Sequence, residues 1–147
     1  MKQSLLLLLA LNPVGSWVGS LPDLANLSNS VKVSISTPRK QTFDEALRAA
    51  ENNEMTPEGV AYEAPLARFS SKHFAVLIGD CMEEFEAPDT ASFRVLLKVR
   101  ENGAIAEGLV KPETNLGVCF RNKLKRRRLP KPPRPGYWVL VDVRLLK

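Results

Sequence analysis

Apolar residues recur at helical spacing in three stretches of the chain. Thr42 and Glu45 form a capping box, which predicts a short helix that begins there and ends near Asn53. A stronger stripe at steps of three and four residues predicts a second helix that begins at Ser70 or Ser71; it comprises Phe74, Leu77, Ile78, Cys81, Met82 and Phe85. Thr114 is the predicted cap of a third helix, with one apolar side formed by Leu116, Cys119, Phe120 and Leu124.

Three other stretches alternate apolar and polar residues, which is typical of strands with one buried face. The first runs from Phe93 to Val99, and Asn102-Gly103 predicts a tight two-residue turn into a partner strand from Ala104 to Val110. The last runs from Tyr137 to Leu146. Its odd-numbered residues form the buried face, and the wetter face is predicted to carry Trp138, Leu140, Asp142 and Arg144.

The order helix, strand, strand, helix, strand predicts an α+β fold, with helices packed on one face of a three-stranded antiparallel sheet. We assign this domain to residues 70–147. Residues 21–69 are interpreted as an N-terminal lead-in that contains the short helix, an edge strand at Val31–Ile35 and a turn at Thr56–Gly59.

The N-terminus has the pattern of a secretory signal peptide. Lys2 precedes an apolar run from Leu5 to Leu11, and Pro13 follows it. The run is shorter than the roughly 20 residues that a membrane span needs. Residues 1–20 are therefore predicted to be removed, leaving a periplasmic or secreted protein; the alternative is an uncleaved anchor that extends through Val18.

Export changes the interpretation of the two cysteines, Cys81 and Cys119. An even number of cysteines in an oxidising compartment predicts a disulfide, and two buried free thiols are the alternative. With one histidine and two cysteines, the chain cannot form a His/Cys-rich zinc site. No catalytic motif surrounds Ser70, Ser71 or His73, so we expect no enzymatic activity, no metal and no cofactor.

The 21 Lys and Arg residues outnumber the 16 Asp and Glu residues, and many of the cations lie in one short run. This run consists of Lys123, Lys125, Arg126, Arg127, Arg128, Lys131 and Arg134. It is interpreted as a partner-binding segment for an acidic surface, against the alternative of a solvated helix end that complements the helix dipole. No aromatic residue lies between Phe120 and Tyr137, which argues against nucleic acid.

Several of these features together resemble the carboxy-terminal domain of TonB and its exported relatives. They are the hairpin at Asn102-Gly103, the helix with an inward cysteine, the proline-containing segment Leu129–Pro133 and the apolar strand from Tyr137 to Val141. The resemblance covers about residues 70–147. Some relatives pair a cysteine on each of the two helices, and Cys81 and Cys119 match that placement.

The resemblance implies an exported module that binds another exported or envelope protein by lending an exposed sheet edge to an extended peptide. TonB itself has a membrane helix and a long proline-rich spacer that this chain does not match, so we do not expect energy transduction. Trp138 and Leu140 are the predicted binding residues on the edge strand. Alternatively, Val31–Ile35 covers this edge, or a homodimer forms through it.

A second function class is a small secreted inhibitor or immunity-type protein that blocks an enzyme. Such proteins present a projecting loop, and the segment from Thr56 to Pro65 is the candidate for it. Anionic envelope surfaces are a further predicted partner of the basic run.

Overall fold

Six elements follow one another in the computed structural model, which describes residues 39–145. They are α1 (Phe43–Glu54), α2 (Pro57–Glu83), β1 (Phe93–Val99), β2 (Ile105–Lys111), α3 (Asn115–Leu124) and β3 (Tyr137–Val143). The predicted leader at 1–20 and the predicted edge strand at 31–35 lie outside the described residues. None of the described helices is long and apolar enough to cross a membrane.

The three strands form one antiparallel sheet in the order β2-β1-β3. β1 is central and pairs with β3 from Phe93 opposite Val143 to Val99 opposite Tyr137. The predicted α+β class and the order helix, strand, strand, helix, strand are confirmed. β3 is an edge strand of this sheet, as the sequence predicted.

The β1-β2 hairpin is confirmed, but its turn is not the predicted two-residue turn. The amide of Gly103 donates to the carbonyl of Arg100 at 2.8 Å, and the amide of Arg100 donates to the carbonyl of Ala104 at 2.8 Å. Within this turn only Gly103 has a positive φ, of 80°, while Asn102 keeps a negative φ. The loop is therefore a three-residue connection of the bulged type, in which the glycine alone adopts the left-handed conformation.

α2 begins much earlier than the sequence predicted. Thr56 is its N-cap, since its hydroxyl accepts from the amide of Gly59 at 3.0 Å, and Pro57 occupies the first helical turn. Proline is well suited to this position because its missing N–H would have no partner there. The predicted turn at Thr56–Gly59 is therefore wrong, and the predicted domain boundary at 69/70 lies inside α2.

Helices cover both faces of the sheet. α2 and α3 pack on one face, as predicted for the domain, around a core that includes Leu77, Cys81, Phe93, Val95, Leu97, Leu116, Phe120 and Leu124. α1 packs on the opposite face, where Ala46 and Ala50 contact Leu96 and Trp138. The capping box predicted at Thr42 and Glu45 is confirmed at the start of α1. Because α1 covers the face that was expected to be wetter, Leu96 and Trp138 are buried.

Candidate functional site

The free edge of β3 exposes backbone hydrogen-bonding groups that no other described strand pairs. The amide of Arg100, the residue after β1, donates to the carbonyl of Ala104 on the β2 side of the sheet. Backbone direction alternates along a strand, so the even-numbered residues of β1 bond to β2 and the odd-numbered ones bond to β3. In the β1-β3 register odd residues lie opposite odd residues. The backbone groups of Trp138, Leu140 and Asp142 therefore point to the free edge.

Asn53 closes one end of this edge. Its side chain is buried, and its Nδ2 donates to the carbonyl of Trp138 at 3.0 Å. Arg134 in turn donates to Oδ1 of Asn53. The amide side chain thus takes the place of a neighbouring strand at Trp138. The edge that is open to a peptide runs from Leu140 toward Asp142.

An apolar groove lies beside the open edge, between β3 and α2. Three adjoining cavities of about 190, 300 and 480 Å³ form it. The first two share Leu66, Val139 and Leu140, and the last two share Phe74 and Asp142. Together they follow β3 from Tyr137 to Val143, with further half-buried apolar walls from Phe69, Ile78 and Leu145.

Two tyrosines close the end of the groove where β3 begins. The hydroxyl of Tyr62 donates to the carbonyl of Pro130 at 2.6 Å, and its ring meets that of Tyr137 edge to face with centroids 5.5 Å apart. Burial raises the pKa of Tyr62 to about 12, and the neighbouring Tyr137 adds to the effect. Burial also raises the pKa of Tyr137. Both hydroxyls are therefore neutral at physiological pH.

The same end of the groove is acidic. Glu54 and Glu63 line the first cavity together with the two tyrosines. Burial, reinforced by the negative charges of Glu63 and Glu51, raises the pKa of Glu54. A basic side chain entering this cavity would meet two carboxylates.

The opposite edge of the sheet differs because a helix lies directly against β2. A methyl group placed on Gly108 would come within 3.2 Å of the side-chain stem of Arg121 and within 3.3 Å of that of Lys125, both from α3. The α3 side of β2 is therefore filled by side chains at this point. Within the described residues, cavities follow the face of β3, whereas side chains of α3 fill the face of β2 at Gly108.

A further cavity of about 460 Å³ lies at the N-terminal end of α1 and shares Asp142 and Arg144 with the last cavity of the groove. Its charged side chains pair with one another: Lys111 with Asp44 at 3.7 Å, and Asp142 with Arg144 at 3.2 Å and with Arg94 at 4.0 Å. These pairs are largely exposed, so each contributes little to stability. Because every cation of this cavity has a carboxylate partner, we assign it no ligand.

The cysteine pair is a disulfide, as predicted. Cys81 and Cys119 are bonded, with Cα atoms 5.9 Å apart. The bond ties α2, one wall of the groove, to α3 across 38 residues of sequence. The chain-entropy model assigns such a loop about 4 kcal/mol of stabilisation.

The two residues predicted to bind a partner from β3 differ in position. Trp138 is 3% exposed, and its Nε1 donates to Gln41 at 2.9 Å, so the prediction of an exposed Trp138 is wrong. α1 covers its ring, and Lys98 lies over it at 5.6 Å. Leu140 is half-buried and lines the groove. The sequence placed Trp138 on the correct face, and the alternative in which Trp138 is covered assigned that cover to Val31–Ile35 and not to α1.

The residues of the basic run also divide into two groups. Lys123 pairs with Glu84 at 2.7 Å and Arg134 is bonded to Asn53, so both have structural partners. Lys125, Arg126, Arg127, Arg128 and Lys131 are exposed. Two of the seven predicted partner-binding cations therefore have partners within the protein, and the other five are exposed.

No family model, curated protein or solved structure matches this chain.

Proposed function

We propose that the protein is an exported, non-catalytic module that binds another exported or envelope protein. Its partner contributes an extended segment that pairs with the open edge of β3 and places side chains in the groove beside α2. The observation that carries this proposal is the combination of two features: backbone groups at Leu140 and Asp142 that no strand within residues 39–145 pairs, and an apolar groove along the same strand.

Strand addition uses two kinds of contact, and the edge of β3 offers both. Backbone hydrogen bonds to the edge supply affinity, and alternate side chains of the added strand enter the groove and supply specificity. Leu66 and Phe74 provide the apolar walls for them. Because Glu54 and Glu63 line the Tyr62 end, the best segment carries a basic residue at that end.

A relationship to the TonB carboxy-terminal domain is part of this proposal. It is supported by the observed order of helices and strands and by the cysteine bond between two helices on one face of the sheet. The inhibitor function is not proposed, because its candidate loop, Thr56 to Pro65, forms the first turns of α2.

Export is supported by the Cys81–Cys119 disulfide, since such bonds persist in oxidising compartments. Thiol labelling of the denatured, unreduced protein isolated from its own cells tests this. We expect no reactive thiol before reduction and two per chain afterwards. Two reactive thiols before reduction would contradict export to an oxidising compartment.

Peptide binding is tested with sequences selected from a random-peptide library against the full chain. Ser70 lines the central cavity at its α2 wall, and Ser71 is its exposed neighbour outside the three cavities. Ser70→Trp fills the groove without removing an apolar contact of the core. It should weaken peptide binding at least about tenfold, which corresponds to about 1.4 kcal/mol.

Ser71→Trp is the matched control and should leave peptide affinity unchanged. Circular dichroism and urea unfolding establish that both variants fold. Equal affinity of both variants and the unchanged chain would mean that the selected peptides bind elsewhere. If the free chain instead forms a dimer, and Ser70→Trp dissociates that dimer, the edge of β3 binds a second copy of the chain.

A further inference from the structure

Six exposed cations form one surface around the C-terminal end of α3 and the β1-β2 hairpin. We call it the basic surface: Lys125, Arg126, Arg127, Arg128, Arg100 and Lys131. Arg100 and Lys131 line one cavity together with Glu101 and Asn102. None of the six pairs with a carboxylate of another described residue within 4.0 Å. Their charges therefore face solvent.

The backbone that carries these cations is held in place. The amides of Arg126 and Arg127 donate to the carbonyls of Lys123 and Leu124, and the amide of Leu129 donates to the carbonyl of Gly103 at 2.9 Å. Leu124 and Leu129 are buried on either side of the run. The cations are thus presented by a fixed segment, which lowers the entropy that binding must remove.

The composition of the basic surface points to phosphate groups of a lipid bilayer. Protein interfaces have an apolar or aromatic centre, and single-stranded nucleic acids stack on aromatic rings. All six residues of this surface are charged, and the two leucines that flank the run are turned into the core. Arginine binds phosphate oxygens in a bidentate manner, and clustered cations are attracted to anionic leaflets.

None of the six cations of the basic surface lines the groove at β3. The stem of Lys125 lies over Gly108 of β2, and β1 separates β2 from β3. Arg128 pairs through its backbone with Ala104 at the hairpin. Leu129, between Arg128 and Lys131, lines the central cavity of the groove with its buried side chain, so the two surfaces are neighbours.

We infer that the basic surface binds the headgroup phosphates of an anionic phospholipid bilayer. The interaction is electrostatic and peripheral. It depends on a local density of cations and not on the net charge of the chain. It is independent of the proposed peptide binding, since no residue is shared between the two surfaces.

Co-sedimentation of the full chain with vesicles tests this inference. Vesicles of phosphatidylcholine alone are compared with vesicles that contain phosphatidylglycerol, and the gain in affinity from the anionic lipid is the readout. Replacing Arg126, Arg127 and Arg128 together by Gln should reduce this gain by on the order of 100-fold, about fivefold for each cation removed. Raising the salt concentration should reduce it for the unchanged chain.

The matched control removes three exposed cations from α1 and α2, by Arg48→Gln, Arg68→Gln and Lys72→Gln together. It lowers the net charge by the same amount and should retain the gain in affinity from phosphatidylglycerol. An equal loss of this gain in both triple variants would show that only net charge matters, which would overturn the inference. So would the absence of any gain from phosphatidylglycerol, or a soluble polynucleotide that binds more tightly than vesicles at equal phosphate concentration.

Discussion

Tyr62 connects three parts of the molecule through one side chain. Its ring packs on Tyr137 at the start of β3, and its hydroxyl donates to the carbonyl of Pro130. This contact holds the proline-containing segment against α2. This hydrogen bond is part-buried, and an intramolecular hydrogen bond contributes about 0.5–1.5 kcal/mol to stability. Tyr62→Phe should therefore destabilise the fold by about this amount near neutral pH.

The raised pKa of Tyr62 makes this contribution depend on pH. An unfolded tyrosine ionises near pH 10, whereas the folded pKa is about 12. Below about pH 10 the phenol is neutral in both states, so the contribution is fully present. Above it the unfolded chain releases its proton first, and the free energy of unfolding falls as pH rises toward the folded pKa.

Urea unfolding of the unchanged chain and of Tyr62→Phe at about pH 9 and about pH 11 measures this effect. The stability difference between the two proteins should shrink at the higher pH. Lysines titrate in both proteins, so their effect cancels in the difference. A difference that stays constant over this range would contradict the assignment.

Some single residues could not be assigned from sequence because their surroundings come from distant segments. The alternation along β3 correctly predicted that Trp138 lies on the face of the sheet opposite to that of Val139. The burial of Trp138 depends on α1, which lies more than eighty residues earlier and packs through Ala46 and Ala50. Asn53 bonds to Trp138 across 85 residues, and no local pattern predicts this.

At the scale of elements, the two ends of α2 show what local signals can and cannot predict. The apolar stripe from Phe74 to Phe85 predicted the second half of the helix. The first half contains Pro57, Gly59 and Pro65, which usually favour turns. Thr56 supplies the cap, and packing of Tyr62 and Leu66 against the core stabilises the helix despite these residues.

Two glycines of α2 differ in their surroundings, and this difference predicts opposite effects of substitution. A Cβ atom at Gly59 would lie 1.9 Å from the carbonyl oxygen of Asn53, whereas one at Gly79 meets nothing within 4 Å. Gly59→Ala should destabilise the protein by about 1–3 kcal/mol. Gly79→Ala should stabilise it by about 0.5–1 kcal/mol, because alanine has less backbone freedom to lose in a helix.

Urea unfolding of the two alanine variants checks this pair. Each serves as the control for the other, because both add one methyl group to the same helix. Equal stabilities would show that α1 and α2 do not approach each other at Gly59 as described.

The hairpin is a case in which an element was predicted and its detail was not. Asn102-Gly103 correctly marked the reversal between β1 and β2. Whether one or both residues adopt a positive φ depends on loop length, which is set by the pairing of Val99 with Ile105. Here Arg100 bonds to Ala104 beyond that pair, which leaves Glu101, Asn102 and Gly103 as a three-residue loop.

At the scale of the whole molecule, the sequence predicted the sheet and its edge strand but not the groove. The groove lies between β3 and the face of α2 that carries Leu66, Phe69 and Phe74, and α2 begins as early as Pro57. Neither the length of α2 nor its course beside β3 is encoded in a local pattern. The sequence could therefore predict the edge strand of the candidate site but not the cavities beside it.

Amide hydrogen exchange of the full chain measures most directly whether the edge of β3 is open. In the free chain, the amides of Val139 and Val141 should be protected by β1, and those of Leu140 and Asp142 should exchange rapidly. Adding a saturating selected peptide should protect Leu140 and Asp142. Protection of these two amides before any peptide is added, or rapid exchange that the peptide leaves unchanged, would contradict strand addition at this edge.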